Sequence, residues 1–332
     1  ALFFFVFALD AAAVSLNVPA QRSLHPVTTE RKAKVLRDGR SSFTLPDGSQ
    51  WVVHSVPAQS EPSALGVTRF AADAPARVFL VSDWLPHRTI PKGWAGQVYG
   101  VGMLNDGRVL VSAGWHNRTG SHNAIFVLRA RQDGTYHTDK VIEVPGVGEV
   151  IGGPANTILA ITTRPDVRGG HLLSHFSTEG VFLGGHAGLG ADLPPRAAAQ
   201  NAMHARLHRI HENQYALYDP SAEKVFVFNL RRGDGEYIWQ GHGHIFLGED
   251  AGTAGMRVLG MESIGDELVV VRSGKYRGRL GTLLTVFDRL QKEKQSEFLD
   301  VPWNYMLRES GEIHGVVFKD DVQLDKVAVG RD

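Results

Sequence analysis

Three polar stretches hold most of the side chains that could bind or react: residues 114–123, 163–170 and 272–279. Together they carry Arg118, Arg164, Arg168, Arg272, Lys275, Arg277 and Arg279, with Trp115, His116, His122 and Tyr276 among them. Asp166 is the clear acid in the group. The whole chain has 35 basic and 35 acidic residues, so this is a local excess of positive charge. Arginine forks match the geometry of carboxylate, sulfate or phosphate. If the three stretches share one face, that face suits a small anionic or sugar-like ligand, or a protein partner. His116, Arg118, His122, Arg164, Arg168, Arg272, Tyr276 and Arg277 are the expected contacts. The competing expectation is a set of solvated loops that merely carry charge.

Histidine is the second candidate chemistry, with 15 in the chain. His204 and His208 are four apart, with His211 beyond them. On a strand the first two point to the same side, because side chains alternate. A catalytic zinc needs about three converging ligands and an open position for water. His54, His116, His204 and His208 are the set that could supply them. Calcium held by Glu149, Asn156 and Asp219 is a weaker option, since Asn156 and Asp219-Pro220 read first as turn residues. No cofactor is required by any motif. A divalent metal, zinc or calcium, remains the alternative, and whether the chain is an enzyme stays open.

Several classes drop out. There is no cysteine, so disulfides, thiolate nucleophiles and Cys-ligated metals are excluded. No phosphate-loop or nucleophile-elbow motif occurs. The glycine-rich stretch 184–190 follows a strand and leads into a Pro-Pro turn, so it is no dinucleotide cradle. Zero formal net charge and the lack of a basic-aromatic stripe argue against nucleic acid.

The elements that must position these residues are short strands. Residues 97–146 read as four of them, joined by Asn105-Asp106-Gly107, by the polar loop 114–123, and by Gln132-Asp133-Gly134. Asp-Gly between β-rich runs is a strong hairpin signal, because the turn needs positive φ. The unit recurs. Aligned on the third strand, the repeats start at Arg77, Ala124, His171, Lys224, Thr282 and Leu324. Intervals of roughly 40 to 60 residues mark propeller blades. The last unit lacks an outer strand and residues 42–46 lack a unit, so pairing them would close the ring and protect the sheet edges. The expectation is an all-β fold, a six-bladed β-propeller of four-stranded antiparallel blades closed by an N-terminal strand. Five blades is the alternative count if the irregular first unit is a cap. Trp51, Trp84, Trp94, Trp239 and Trp303 are expected to pack between blades or at their ends.

Residues 1–9 form an apolar run too short to span a bilayer, which needs about 20 residues. The run suits the core of an export signal, with cleavage near Ser15 or Ala20. A buried first strand or helix is the alternative. The expected organisation is a signal remnant at 1–20, a polar linker at 21–41 and the propeller at 42–332. No transmembrane segment is expected, and the location is extracytoplasmic, periplasmic or secreted.

In the spacing and turn chemistry of these repeats, the chain from residue 42 onward resembles the NHL-like and related bacterial six-bladed β-propellers. It carries neither a Trp-Asp dipeptide in each blade nor an Asp-box. The resemblance implies a scaffold used for binding, and in some members for metal-assisted lyase or hydrolase chemistry at the channel. It does not choose between them.

Overall fold

The computed structural model describes residues 14–17, 22–23, 41–56, 64–71, 74–84, 95–118, 120–144, 146–162, 171–187, 201–234, 236–248, 250–309, 312–318 and 322–331. Two short strands come first, β1 (Val14–Asn17) and β2 (Arg22–Ser23). Blade 1 follows as β3 (Ser41–Thr44), β4 (Gln50–Val56), β5 (Ala64–Ala71) and β6 (Ala74–Leu80). Blade 2 is β7 (Ala95–Met103), β8 (Val109–His116), β9 (Ser121–Ala130) and β10 (Tyr136–Glu143). Blade 3 is β11 (Val147–Gly152), β12 (Ile158–Thr162), β13 (His171–Phe176) and β14 (Phe182–Ala187). Blade 4 is β15 (Arg206–His211), β16 (Gln214–Asp219), β17 (Lys224–Arg232) and β18 (Tyr237–Phe246). Blade 5 is β19 (Arg257–Ile264), β20 (Glu267–Tyr276), β21 (Arg279–Phe287) and β22 (Glu293–Leu299). The chain ends in β23 (Tyr305–Glu309), β24 (Glu312–Phe318) and β25 (Val322–Arg331).

Each of the five blades is a four-stranded antiparallel meander. A further sheet of five strands joins both ends of the chain, with β23, β24 and β25 in order and β1 and β2 both pairing with β25. The inner strands lie side by side in a closed circuit: β3 beside β7, then β11, β15, β19 and β23, which returns to β3. The molecule is an all-β propeller.

The turns form where Gly can take positive φ. Gly48, Gly107, Gly134 and Gly180 have φ of +79°, +83°, +75° and +88°. Asp47, Asp106 and Asp133 each accept the backbone N–H two residues on, at 2.9, 3.2 and 2.8 Å. That is the local hydrogen bond that makes Asp a turn former.

Apolar side chains lie on both faces of a blade, because each blade is sandwiched between two others. On β8, Val109, Val111 and Ala113 pack with Trp51, Val53 and Val67 of blade 1. Leu110, of opposite parity, packs with Val150 and Ile158 of blade 3. Ser112 shares that second side and donates to the Gly148 carbonyl at 2.6 Å. Period-2 alternation thus builds an interface on each side of one strand. Close approach of the inner strands demands glycine. A Cβ on Gly100 would sit 2.7 Å from Glu149 Cα and from Val150 N, both of which are backbone.

Two expectations need correction. Residues 42–46 do not close the ring: Ser41–Thr44 is the inner strand of blade 1 and pairs with β4. The strand that pairs with the C-terminal sheet is Val14–Asn17, with Val14 opposite Arg331 and Asn17 opposite Ala328. In consequence Arg77 lies on the fourth strand of its blade, not the third. Taking residues 42–46 as the closing strand shifts the first unit by one, since they are its own inner strand. The other third-strand starts fall on β9, β13, β17, β21 and β25. Among the described residues, four-stranded blades of continuous chain number five, against the six expected, and the remaining sheet is the composite one. Trp94 lies outside the described residues, as do most of 1–20 and of the linker.

Candidate functional site

The inner strands enclose a cavity of about 390 Å³ on the axis of the ring. All six of them contribute to its wall. Most of the lining is apolar, with Val101, Ile151, Leu259, Met261 and Met306 prominent. Into it come a few polar groups, from Glu149, Arg206, His208, Glu262 and Ser263.

Glu149 and Arg206 form the centre of this set. Glu149 lies on β11, and its Oε2 accepts the backbone N–H of Leu207 at 2.7 Å. Its Oε1 is 3.5 Å from Arg206 Nε, and the side chains are only 13% and 19% exposed. Burial pushes the Glu149 carboxyl above the usual carboxylate range, against the opposing pull of Arg206 and of the Leu207 N–H. Arg206 also donates to three backbone carbonyls, Leu259 at 3.3 Å, Met203 at 3.3 Å and Ala205 at 2.9 Å. One guanidinium therefore ties blades 3, 4 and 5 together. Two residues further along β15, His208 Nε2 is 3.2 Å from Ser263 Oγ on blade 5. At the turn end, Arg209 donates to Asn105 Oδ1 of blade 2 at 2.7 Å and to the Glu212 carbonyl at 3.0 Å.

The residues expected from the sequence are dispersed. His116, Arg118 and His122 are exposed at the β8–β9 connection, at the rim of blade 2. Arg164 and Arg168 lie outside the described residues. Arg272 is not on a loop. It sits within β20, 6% exposed, and donates to the Leu247 carbonyl at 3.0 Å and to Thr285 Oγ1 at 3.2 Å. Tyr276 and Arg277 do meet, at the β20–β21 turn, where the guanidinium lies 5.0 Å from the ring centroid. Both also bind Asp250, at 3.0 and 3.1 Å. The Gly252 N–H, then the Tyr276 hydroxyl and Arg277, hold that carboxyl below its ordinary range. Arg279 pairs with Asp300. Arg277 and Arg279 of this stretch are thus each paired with an acid.

The histidines are spread likewise. His54 is on β4, a second strand and not an inner one. His116 ends β8, His204 sits in a helical turn ahead of β15, and His208 lies on β15. Among the described residues, no three His, Asp or Glu side chains are grouped to hold a metal ion. Glu149 lines the cavity, whereas Asn156 and Asp219 serve turns: Asn156 Oδ1 accepts the Asp106 N–H at 3.1 Å, and Asp219 accepts from Ser221 and Asn201. Sequence reasoning placed Glu149 only in a weak calcium set and missed Arg206. Neither has a motif, and what brings them together is the parallel packing of β11 and β15.

Among the described residues, no helix is long and apolar enough to cross a membrane. No protein-family model matches the chain, and no curated protein does. Several solved structures are similar in shape. One, described as an oxidoreductase (glucose dehydrogenase) from a Thermus species, is 12% identical with a TM-score of 0.46, covering 95% of this chain and 100% of its own. A protein described as a 6-phosphogluconolactonase, from Bacteroides uniformis, is 14% identical with a TM-score of 0.48, covering 86% and 83%. The fucose-specific lectin of Aleuria aurantia is 10% identical with a TM-score of 0.42, covering 90% and 99%. Likenesses this distant say nothing of the chemistry of this chain.

Proposed function

We propose that this chain is a six-bladed propeller, with the composite sheet as its sixth blade, that acts outside the cytoplasm as a binding module. Its ligand is a small hydroxylated molecule of saccharide type, held in the axial cavity. The observation that carries the reading is the cavity itself: about 390 Å³, walled by inner strands from the whole ring, with Glu149 and Arg206 paired in an apolar surround. Binding pockets commonly run from about 300 to 1,000 Å³, mostly apolar with a few placed polar groups. A sugar ring offers the matching pattern, with an apolar face and hydroxyl edges. Glu149 would accept hydroxyl hydrogens, and Arg206, His208 and Ser263 would fix orientation.

The test is calorimetric titration of a panel of neutral and acidic mono- and disaccharides into the protein. Saturable binding, weakened about tenfold or more in Glu149→Gln, is the expected result, as for loss of one charged hydrogen-bond partner. No binding across the panel would sink the cavity reading. Conversion of the sugar during the titration would move the chain to the enzyme class, with Glu149 as the first group to examine.

A further inference from the structure

The inner strands run parallel, since Arg206 meets Leu259 and His208 meets Ser263 further along the neighbouring strand. Their starts therefore form one mouth of the channel. They begin with Ser41, Ala95, Val147, Arg206, Arg257 and Tyr305, and none of these is acidic. Two adjacent starts are arginines. Arg206 on β15 donates to Leu259, which is two residues beyond Arg257 on β19. Arg257 is exposed, and its Nη2 donates to the Asn304 carbonyl just before β23 at 3.3 Å. No carboxylate among the described residues pairs with Arg257. The other mouth differs: there Arg108 is paired with Asp106 at 2.8 Å.

The two guanidiniums feel each other. Partial burial of an otherwise exposed side chain, and then the charge on Arg206, push Arg257 below the ordinary guanidinium range. His204, exposed on the helical turn ahead of β15, lies within reach of both charges. Among the described residues, the carboxylate that faces Arg206 is that of Glu149, which also holds the Leu207 N–H. Like charges held together at a solvent-facing opening cost free energy, which an anion between them would relieve. Arginine stays charged and offers a fork suited to oxyanions.

We infer that the channel mouth at the strand starts is an oxyanion-binding site, built by Arg257 with Arg206 and His204, for a carboxylate, sulfate or phosphate group. It shares Arg206 with the wall of the axial cavity, but Arg257 lies outside that wall, and the site does not depend on a saccharide binding there. It lies at the same end of the ring as the loops expected from the sequence, since Arg257 pairs with Ser273 and Ala95 with His116, but it is built from strand starts and not from those loops, whose arginines on blade 5 are paired or buried.

The experiment is titration of sodium sulfate, inorganic phosphate and acetate, each alone, at low ionic strength. It uses the full chain, Arg257→Gln, and Arg231→Gln as an exposed control on blade 4. The expected result is saturable binding of at least one anion, weakened about tenfold or more in Arg257→Gln and unchanged in Arg231→Gln. The order of the three anions then identifies the group preferred. Equal melting temperatures of the variants without anion would show that folding is intact, as an exposed Arg257 predicts. No saturable binding of any of the three, or equal affinity in Arg257→Gln, overturns the site.

Discussion

Glu149 on blade 3 receives the backbone N–H of Leu207 on blade 4 at 2.7 Å, so a side chain replaces the sheet hydrogen bond that cannot form between blades. The same carboxylate faces Arg206. Glu149→Ala would orphan the N–H and leave the guanidinium without its counter-charge, though still bonded to three carbonyls, at a cost of about 3 kcal/mol. Glu149→Gln keeps an acceptor for the N–H and should lose less. The pH dependence follows from the raised carboxyl. A carboxyl raised by burial stabilises the fold fully below its unfolded value, and that contribution is lost as pH rises through the folded value. Urea unfolding of wild type and Glu149→Gln across pH 4 to 8 checks both statements, since the variant should lack this decline.

His175 titrates in the opposite sense. It is fully buried on β13, with Nε2 2.7 Å from Thr157 Oγ1 and Tyr237 edge-on at 4.3 Å between ring centroids. Burial lowers its pKa to about 4. Between about 6.5 and 4 the unfolded chain binds the proton and the folded one does not, so stability falls as pH drops through that window. The full effect is of order 3 kcal/mol. A His175→Leu variant should show a flatter profile, because the titrating ring is gone, while Thr157 keeps its bond to the Pro154 carbonyl at 2.6 Å.

Gly100 and Gly107 separate two uses of glycine. Gly107 has φ +83° with open space around it, so alanine there should cost about 1 kcal/mol of backbone strain. Gly100 faces the backbone of the next inner strand, which cannot yield. Gly100→Ala should therefore cost about 3 kcal/mol or more, by overpacking. Chemical denaturation ranks the two variants, and a reversed order would mean that the inner strands can part.

What could be read beforehand follows from how local each signal is. Asp-Gly turns at residues 47–48, 106–107 and 133–134 act through their own φ and a two-residue hydrogen bond, so they show in the sequence. The stretch 272–279 misled because its polar composition imitates a loop. In fact β20 and β21 run on to a Tyr276–Arg279 pair, and the turn is only Arg277-Gly278, with φ of +48° and +83°. Positive φ at both central residues is the hairpin geometry that follows strand twist. The Arg-Gly dipeptide was the available clue. Glu149 and Arg206 had none, as their meeting depends on which inner strands are neighbours.

Arg272 carries its own prediction. Its head is buried against Leu247 and Thr285, and burial pushes it below the ordinary guanidinium range. A buried charge contributes little net stability when an apolar side chain of similar length can fill the site. The Leu247 carbonyl would still accept from Thr253 Oγ1 at 3.1 Å. Arg272→Met should thus stay within about 1 kcal/mol of wild type, whereas Arg272→Ala leaves a cavity and should lose about 2 to 4 kcal/mol. Neither variant should alter sulfate or phosphate binding, which a role for Arg272 on a ligand face would require.

The last prediction concerns ring closure. Strand β25 borders β24 on one side and β1 and β2 on the other. Deleting residues 1–13 leaves both pairings intact. Deleting residues 1–24 strips them, and β25 becomes an open edge with unpaired N–H and C=O groups, a template for association with a second chain. The shorter deletion should keep the melting temperature. The longer one should lower it by several degrees and produce concentration-dependent oligomers in size-exclusion chromatography. Equal behaviour of the two would mean that residues 14–23 do not hold the ring. The reason for expecting a difference is geometric: residues 41–44 are committed to β4 through four register pairs and cannot also serve the last sheet.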